Sequence, residues 1–194
     1  MLCEPADIVI HVQGKGFVVK EKSLVAFQKN DAKIVAFGTE AYGMAEKNLE
    51  DIVVVSPLRQ GFIADFTVAE RLFRYLLLKA VGKKPILNYY PAVALCVPKG
   101  ITEVEKKAFE DAFMLAGAKE LFITDLPMEN FLRNFSEKFP KEYGKFKITI
   151  GIGKDEPERY VKERMKEILE YAAQEQIPQE RVYDLLQSLK EDKG

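Results

Sequence analysis

Few side chains in this sequence are suited to chemistry, and their spacing narrows the choice further. There is one histidine, His11, and there are two cysteines, Cys3 and Cys96. A Ser-His-Asp or Cys-His constellation would have to use His11, and no nucleophile elbow accompanies it. His11 lies in DIVIHVQ with no second histidine and no cysteine near it, so it reads as a strand residue facing a polar side. Cys96 lies in the apolar run AVALCV, where a small buried thiol is expected. The cysteines lack C-x-x-C spacing, which argues against both a metal site and a disulfide framework. Carboxylates are abundant but sit beside lysines, as in Glu103, Glu105, Lys106 and Lys107, the pattern of a solvated helix face. Lys83-Lys84 with Tyr89-Tyr90 is the nearest approach to a basic-aromatic patch and reads as a loop before a strand. Gly151 and Gly153 in ITIGIGKDE, with Lys154 beside them, form a G-x-G at a strand end, a weak phosphate-loop signal.

Composition sets the frame for these residues. The chain has 194 residues, 29 basic against 30 acidic, a formal net charge of -1 and 47% hydrophobic residues. A chain of this length hides about 70% of its unfolded surface and builds a proper core. Near-neutral charge argues against broad binding to nucleic acid or membrane surfaces. With 30% charged residues and no apolar run of about 18 residues, no transmembrane helix is expected. The first twelve residues lack a basic start, and Glu4 and Asp7 interrupt their apolar stretch, so a signal peptide is not expected. A reduced, cytoplasmic setting fits.

The elements that must position these residues follow from periodicity. DIVIHV (7–12) leads through Gly14-Lys15-Gly16 into FVVK (17–20), a predicted hairpin. SLVAFQ, KIVAFG and DIVVVSP continue a strand-rich opening, with Asn30-Asp31 as a turn and a short helix over 39–47. GFIADF (61–66) is strand-like. Thr67 and Glu70 then form a capping box before RLFRYLLLKAV. PAVALCVP (91–98) reads as a strand buried on both faces. A second capping box, Thr102 with Glu105, starts a helix that ends at Gly117. LFIT (121–124) is the next buried strand. Asp125 and Pro127 open a helix with Met128, Phe131, Leu132, Phe135 and Phe139 on one face. FKITIGIG (146–153) is the last strand. From residue 155 the composition turns to Lys, Glu, Arg and Gln, and Val161, Met165, Ile168 and Ala172 mark a helix face. Pro178 opens a second helix with Val182, Leu185, Leu186 and Leu189. The sum is an α/β domain: an antiparallel meander, helix-crossed parallel strands, and a helical pair.

Three stretches carry a family likeness. SPLRQGFIADFTVAERLFRYLL (56–77) resembles the MreB segment R-P-x-x-x-G-V-I-A-D-F-x-x-x-E-x-x-L-x-Y. CVPKGITEVEKKAFEDAFMLAGAKELFITDLPM (96–128) is similar to its C-V-P-x-G-I-T-x-V-E-R-R-A segment and the E-E-P-M that follows. VQGKGFVVKEKSLVAF (12–27) is similar to its opening hairpin. The resemblance runs in order from about residue 7 to 128, and MreB is the bacterial actin-like rod-shape family.

That resemblance implies a single actin-like (ribonuclease H-like) lobe with a mixed sheet over 1–153, and a helical pair over 154–194. It also implies ATP and magnesium held between two lobes, and subunits that polymerise into filaments that organise cell-wall synthesis. The family's first phosphate loop, a D-L-G-T turn between its first two strands, counts back to Leu2, Cys3, Glu4 and Pro5. Leucine cannot hold a hydrated metal, Glu4 repels phosphate, and Pro5 removes an N–H donor. The family's acidic pair becomes Asp125-Leu126, and Asp125 reads as a cap for the helix near Pro127. The second phosphate loop, D-I-G-G-G-T-T-E, leaves only Gly151 and Gly153. The forty or so residues after 153 are too few for a second lobe. The expected protein is therefore a truncated, catalytically silent relative without a cofactor, binding itself or a full-length filament. Val161, Met165, Ile168, Val182, Leu185 and Leu189 are its expected packing face. The alternative is a half-site with weak ATPase activity, completed by a second chain, in which Asp125, Gly151 and Gly153 matter.

Overall fold

Runs of β-branched residues build the first hairpin. In a computed structural model, which describes residues 5–82, 91–135, 146–153 and Lys166, β1 (Asp7–Val12) and β2 (Gly16–Lys22) pair antiparallel. The predicted meander stops there. β3 (Val25–Gln28), β4 (Ile34–Phe37) and β5 (Ile52–Val55) form a separate three-stranded sheet, ordered β4-β3-β5. Its small core, Leu24, Ala26, Ala36 and Ala41, lies against helix α1 (Gly38–Glu46).

GFIADF contributes only two strand residues. β6 (Leu58–Arg59) and β7 (Phe62–Ile63) make a short hairpin, and Asp65 then caps α2 (Phe66–Val81) by accepting from the Val68 N–H at 3.0 Å. The expected Thr67–Glu70 box does not form. Asp65 stands one residue before the first helical turn and reaches its free amides first, while Glu70 pairs with Arg74 at 2.8 Å. The second box does form: Thr102 and Glu105 bond reciprocally at the start of α3 (Glu103–Ala116), and Gly117 ends it in the left-handed conformation. β8 (Ala92–Cys96) precedes α3, and β9 (Glu120–Thr124) follows it. Next come one turn of helix, α4 (Met128–Asn130), a wider π-type turn over Phe131–Phe135, and β10 (Phe146–Gly153). In the predicted Phe stripe, Met128, Phe131 and Leu132 are buried, while Phe139 and the Phe135 side chain lie outside the described residues.

The main sheet has the order β2-β1-β10-β8-β9. β10 pairs antiparallel with β1 over six positions, Asp7↔Gly153 to Val12↔Ile148, and parallel with β8. β9 pairs parallel with β8 and is an edge strand, half-exposed, where full burial was expected. On one face Ile8, Ile10, Ile148, Ile150, Val93 and Leu95 meet Leu72, Phe73 and Leu76 of α2 and Phe109 and Phe113 of α3. Phe73 stacks on Phe113 with ring centroids 4.3 Å apart. The chain divides into Met1–Asp155 and Glu156–Gly194. In the second unit only Lys166, helical and exposed, is described, so Val161, Met165, Ile168, Val182, Leu185 and Leu189 lie outside the described residues.

One buried carboxylate ties the two sheets to the helix layer. Glu21 on β2 is 5% exposed and accepts from the Thr39 N–H at 2.6 Å, the Thr39 hydroxyl at 2.8 Å, and Lys79 Nζ of α2. It thereby caps α1 at its first turn. Gly38 stands beside it with φ +61°, and a Cβ there would fall on the Glu21 carboxylate. Burial alone would push the Glu21 carboxyl up, but the bonds from Lys79 and Thr39 together hold it below its usual 4.5. Burial would likewise lower Lys79, yet its bond to Glu21 holds it above 10.5.

A depressed carboxylate stabilises the fold above its unfolded value and loses that contribution as pH falls through the folded one; a raised lysine behaves in the mirror sense above 10.5. Between about pH 5 and pH 3 the wild-type protein is therefore expected to lose more stability than Glu21→Gln in urea titrations. At neutral pH, Glu21→Ala should cost about 1–3 kcal/mol, because the Thr39 amide is left without its acceptor. Gly38→Ala should cost at least as much, since backbone strain adds to displacement of the carboxylate.

Candidate functional site

In a parallel sheet, ligand sites form at the carboxyl ends of the strands. The ends of β8, β9 and β10 lie side by side, with Cys96 paired to Gly151 on one flank and to Thr124 on the other. Antiparallel β1 begins at the same end, where Asp7 faces Gly153 and Pro5-Ala6 lead in. The structure thus brings Pro5, Asp125, Gly151 and Gly153 to one end of one sheet. Leu2, Cys3, Glu4 and Lys154 lie outside the described residues, as do Lys83, Lys84, Tyr89 and Tyr90.

One position at this end is closely packed. A Cβ on Gly151 would come within 2.8 Å of Met128 Sδ and 3.3 Å of Met128 Cβ, so the thioether lies on the strand where a side chain would otherwise stand. Gly151 is a glycine for close approach, and the space above it is taken. Burial pushes the Cys96 thiol up to about 12, so it carries no thiolate at neutral pH. Asp7 sits 2.9 Å from Lys22 Nζ, a contact of charges that is not an aligned hydrogen bond to the buried oxygen.

Asp125 does not cap a helix. Pro127 occupies the cap position of α4 with no side-chain bond, and the Thr124 hydroxyl closes the turn by accepting from the Leu126 N–H at 3.1 Å. The threonine reaches that amide two residues on without opening the strand, which leaves Asp125 outside the cap. Its charge acts on Lys106, which is held above 10.5 first by its 2.7 Å bond to Glu103 and more weakly by Asp125. His11 is also placed differently from expectation. It is buried, edge-to-face with Phe17 at 5.1 Å, because the face of β1 opposite the helices is covered as well. Among the described residues no group of three or more His, Cys, Asp or Glu could hold a metal, and none of their helices is long and apolar enough to cross a membrane.

A second feature lies away from the strand ends. An open groove of about 450 Å³ runs between α2 and β4, lined by Ile34, Phe37, Arg71, Arg74, Tyr75 and Leu78. Its floor is the Phe37–Tyr75 stack, with centroids 4.6 Å apart. Its polar groups are the guanidiniums of Arg71 and Arg74, the Glu70 bound to Arg74, and the Tyr75 hydroxyl, which accepts from Lys79. The residues that sequence reasoning missed are Glu21, Gly38, Lys79 and the Met128–Gly151 contact. Their partners lie 17 to 58 positions away in the chain, and no local pattern links them.

A family model described as MreB/Mbl protein matches residues 4–156. The cell shape-determining protein Mbl of Bacillus subtilis is 38% identical over 148 residues, covering 76% of this chain and 44% of that protein. The cell shape-determining protein MreB of Escherichia coli is 34% identical over 127 residues, covering 63% and 36%. Among solved structures, MreB5 of Spiroplasma citri bound to ADP superposes with a TM-score of 0.56 at 30% identity, over 66% of this chain and 37% of that one. A MamK double helical filament, at 16% identity and a TM-score of 0.50, shares the fold. The chain spans less than half the length of these relatives.

The packed strand end makes its own prediction. Gly151→Ala should destabilise the fold by about 1–3 kcal/mol through overpacking. Adding Met128→Ala should return part of that loss, read as a negative coupling energy in a double-mutant cycle of urea midpoints.

Proposed function

The chain belongs to the MreB/Mbl family, and on that premise we propose that it works as an actin-like lobe that binds other proteins and does not turn over nucleotide. Its family is the cell-shape cytoskeleton, and the proposed role is in organising that cytoskeleton, in the cytoplasm, through contact with itself or with a full-length filament.

The observation that carries this reading is the pairing of β1. In the family resemblance, a strand upstream of Leu2 to Pro5 would turn back along β1 and hold the phosphate loop between them. Among the described residues β2 and β10 pair with the two edges of β1, so a strand beside β1 at that loop would have to displace one of them. Three further points support it: proline at the loop's fourth position, the thioether over Gly151, and a thiol at Cys96 that stays protonated. The groove between α2 and β4 supplies apolar area with basic groups at its rim, as a protein contact requires. Residues 154–194 are proposed as a separate helical segment whose apolar positions Val161, Met165, Ile168, Val182, Leu185 and Leu189 pack on a partner.

A second reading keeps weak ATPase activity in a half-site completed by another chain. The convergence of Asp125, Gly151 and Gly153 at one sheet end favours it. Isothermal titration with Mg-ATP separates the two. No saturable heat is expected, together with co-sedimentation of the chain with filaments of a full-length MreB or Mbl. Tight binding that requires magnesium overturns the first reading.

A further inference from the structure

Helix α2 covers the apolar face of the small sheet only in part. Phe27, Ile34 and Phe37 of the sheet and Val68 and Tyr75 of the helix remain partly open along one seam. The groove already described is continued by a second hollow of about 470 Å³ lined by Phe27, Lys33 and Thr67, and the two share Ile34 and Arg71. Together they follow α2 from Thr67 to Leu78, a run of about 17 Å. Leu78, at the far end, is 53% exposed.

The walls carry positive charge that the protein does not neutralise. Arg74 is held by Glu70 at 2.8 Å and donates to the Leu115 carbonyl. Lys33 and Arg71, both exposed, have no carboxylate partner among the described residues. Asp31, in the same turn as Lys33, accepts instead from the Lys33 backbone N–H at 3.0 Å. β4 then decides the form of an occupant. It is a free edge of the small sheet, but it has four residues and carries one extra, Val35, opposite Ala26 and Phe27. Such a bulge interrupts backbone pairing and blunts an edge, so an added strand finds a poor ladder. A helix needs no ladder. Three turns span the seam, with apolar residues at i, i+3, i+4 and i+7 spacing set against Ile34, Phe37, Tyr75 and Leu78. We propose, on the protein-binding role given above, that this seam takes one amphipathic helix of a partner protein, acidic on the flank that faces Lys33 and Arg71.

Fluorescence anisotropy on the full chain tests the assignment. The probe is a labelled synthetic peptide of about 18 residues, long enough to form a helix in water, with leucines at that spacing and glutamates beside them. It should bind saturably, and about tenfold or more weakly when the glutamates are replaced by lysines or when a central proline breaks the helix. Arg71→Glu should weaken the glutamate probe about tenfold and strengthen the lysine probe. Lys33→Glu, on a separate element, should do the same, while Lys15→Glu in the β1–β2 turn should change neither. The proposal is overturned by absence of saturable binding, by equal binding of the lysine or proline probe, or by unchanged affinity in both the Arg71→Glu and Lys33→Glu chains. Filaments of a full-length MreB or Mbl that sediment with the wild-type chain while no probe binds overturn this seam alone and leave the protein-binding role standing.

Discussion

The architecture depends on a single strand being paired on both edges. β10 meets β1 antiparallel along one side and β8 parallel along the other, and without it the main sheet is two unrelated pairs. Its isoleucines bring β1 and β8 over the same aromatic layer of α2 and α3. A central strand can carry no proline and must offer small or apolar side chains to both faces. ITIGIG meets both demands. The same insertion closes the edge of β1 and so governs what the candidate site can be.

Around this splice the fold is tied by polar contacts placed where elements change direction. Glu21 lies on a strand of the main sheet, caps a helix of the smaller sheet's layer, and pairs with a lysine of the central helix. Burial works against its charge, and the three donors reverse that effect. The strand-end region is built on the opposite principle. Thioether, thiol and glycine lie at the ends of these strands, and the charge of Asp125 there acts weakly on Lys106 of α3. At that point Met128 lies over Gly151, and the proposed lack of nucleotide turnover rests in part on that close approach.

Much of the fold was legible in the sequence where the signal is local. β-branched runs around a glycine turn located β1 and β2, and a continuous apolar run located β8; the Thr102–Glu105 box and Gly117 bounded α3; the matched motifs led to the family. The failures share a cause. Asp65 outcompeted Thr67 as a cap because the two stand two residues apart and both suit the role, so register alone decided. The split of the opening strands into two sheets, the burial of His11 and the edge position of β9 depend on which strands become neighbours, and no window of the chain contains that information. The candidate site was legible as residue types and illegible as a place. Gly151 carries a weak phosphate signal in sequence, while its small size answers to a methionine 23 positions earlier.

Native-state hydrogen exchange tests the central position of β10 most directly. The amides of residues 147–152 are expected to exchange with those of β1 and β8, at one common free energy that equals global unfolding. Exchange of the β10 amides through a smaller, separate opening, while β1 and β2 stay protected, would contradict the account, because the strand would then be an addition to the sheet and not its splice.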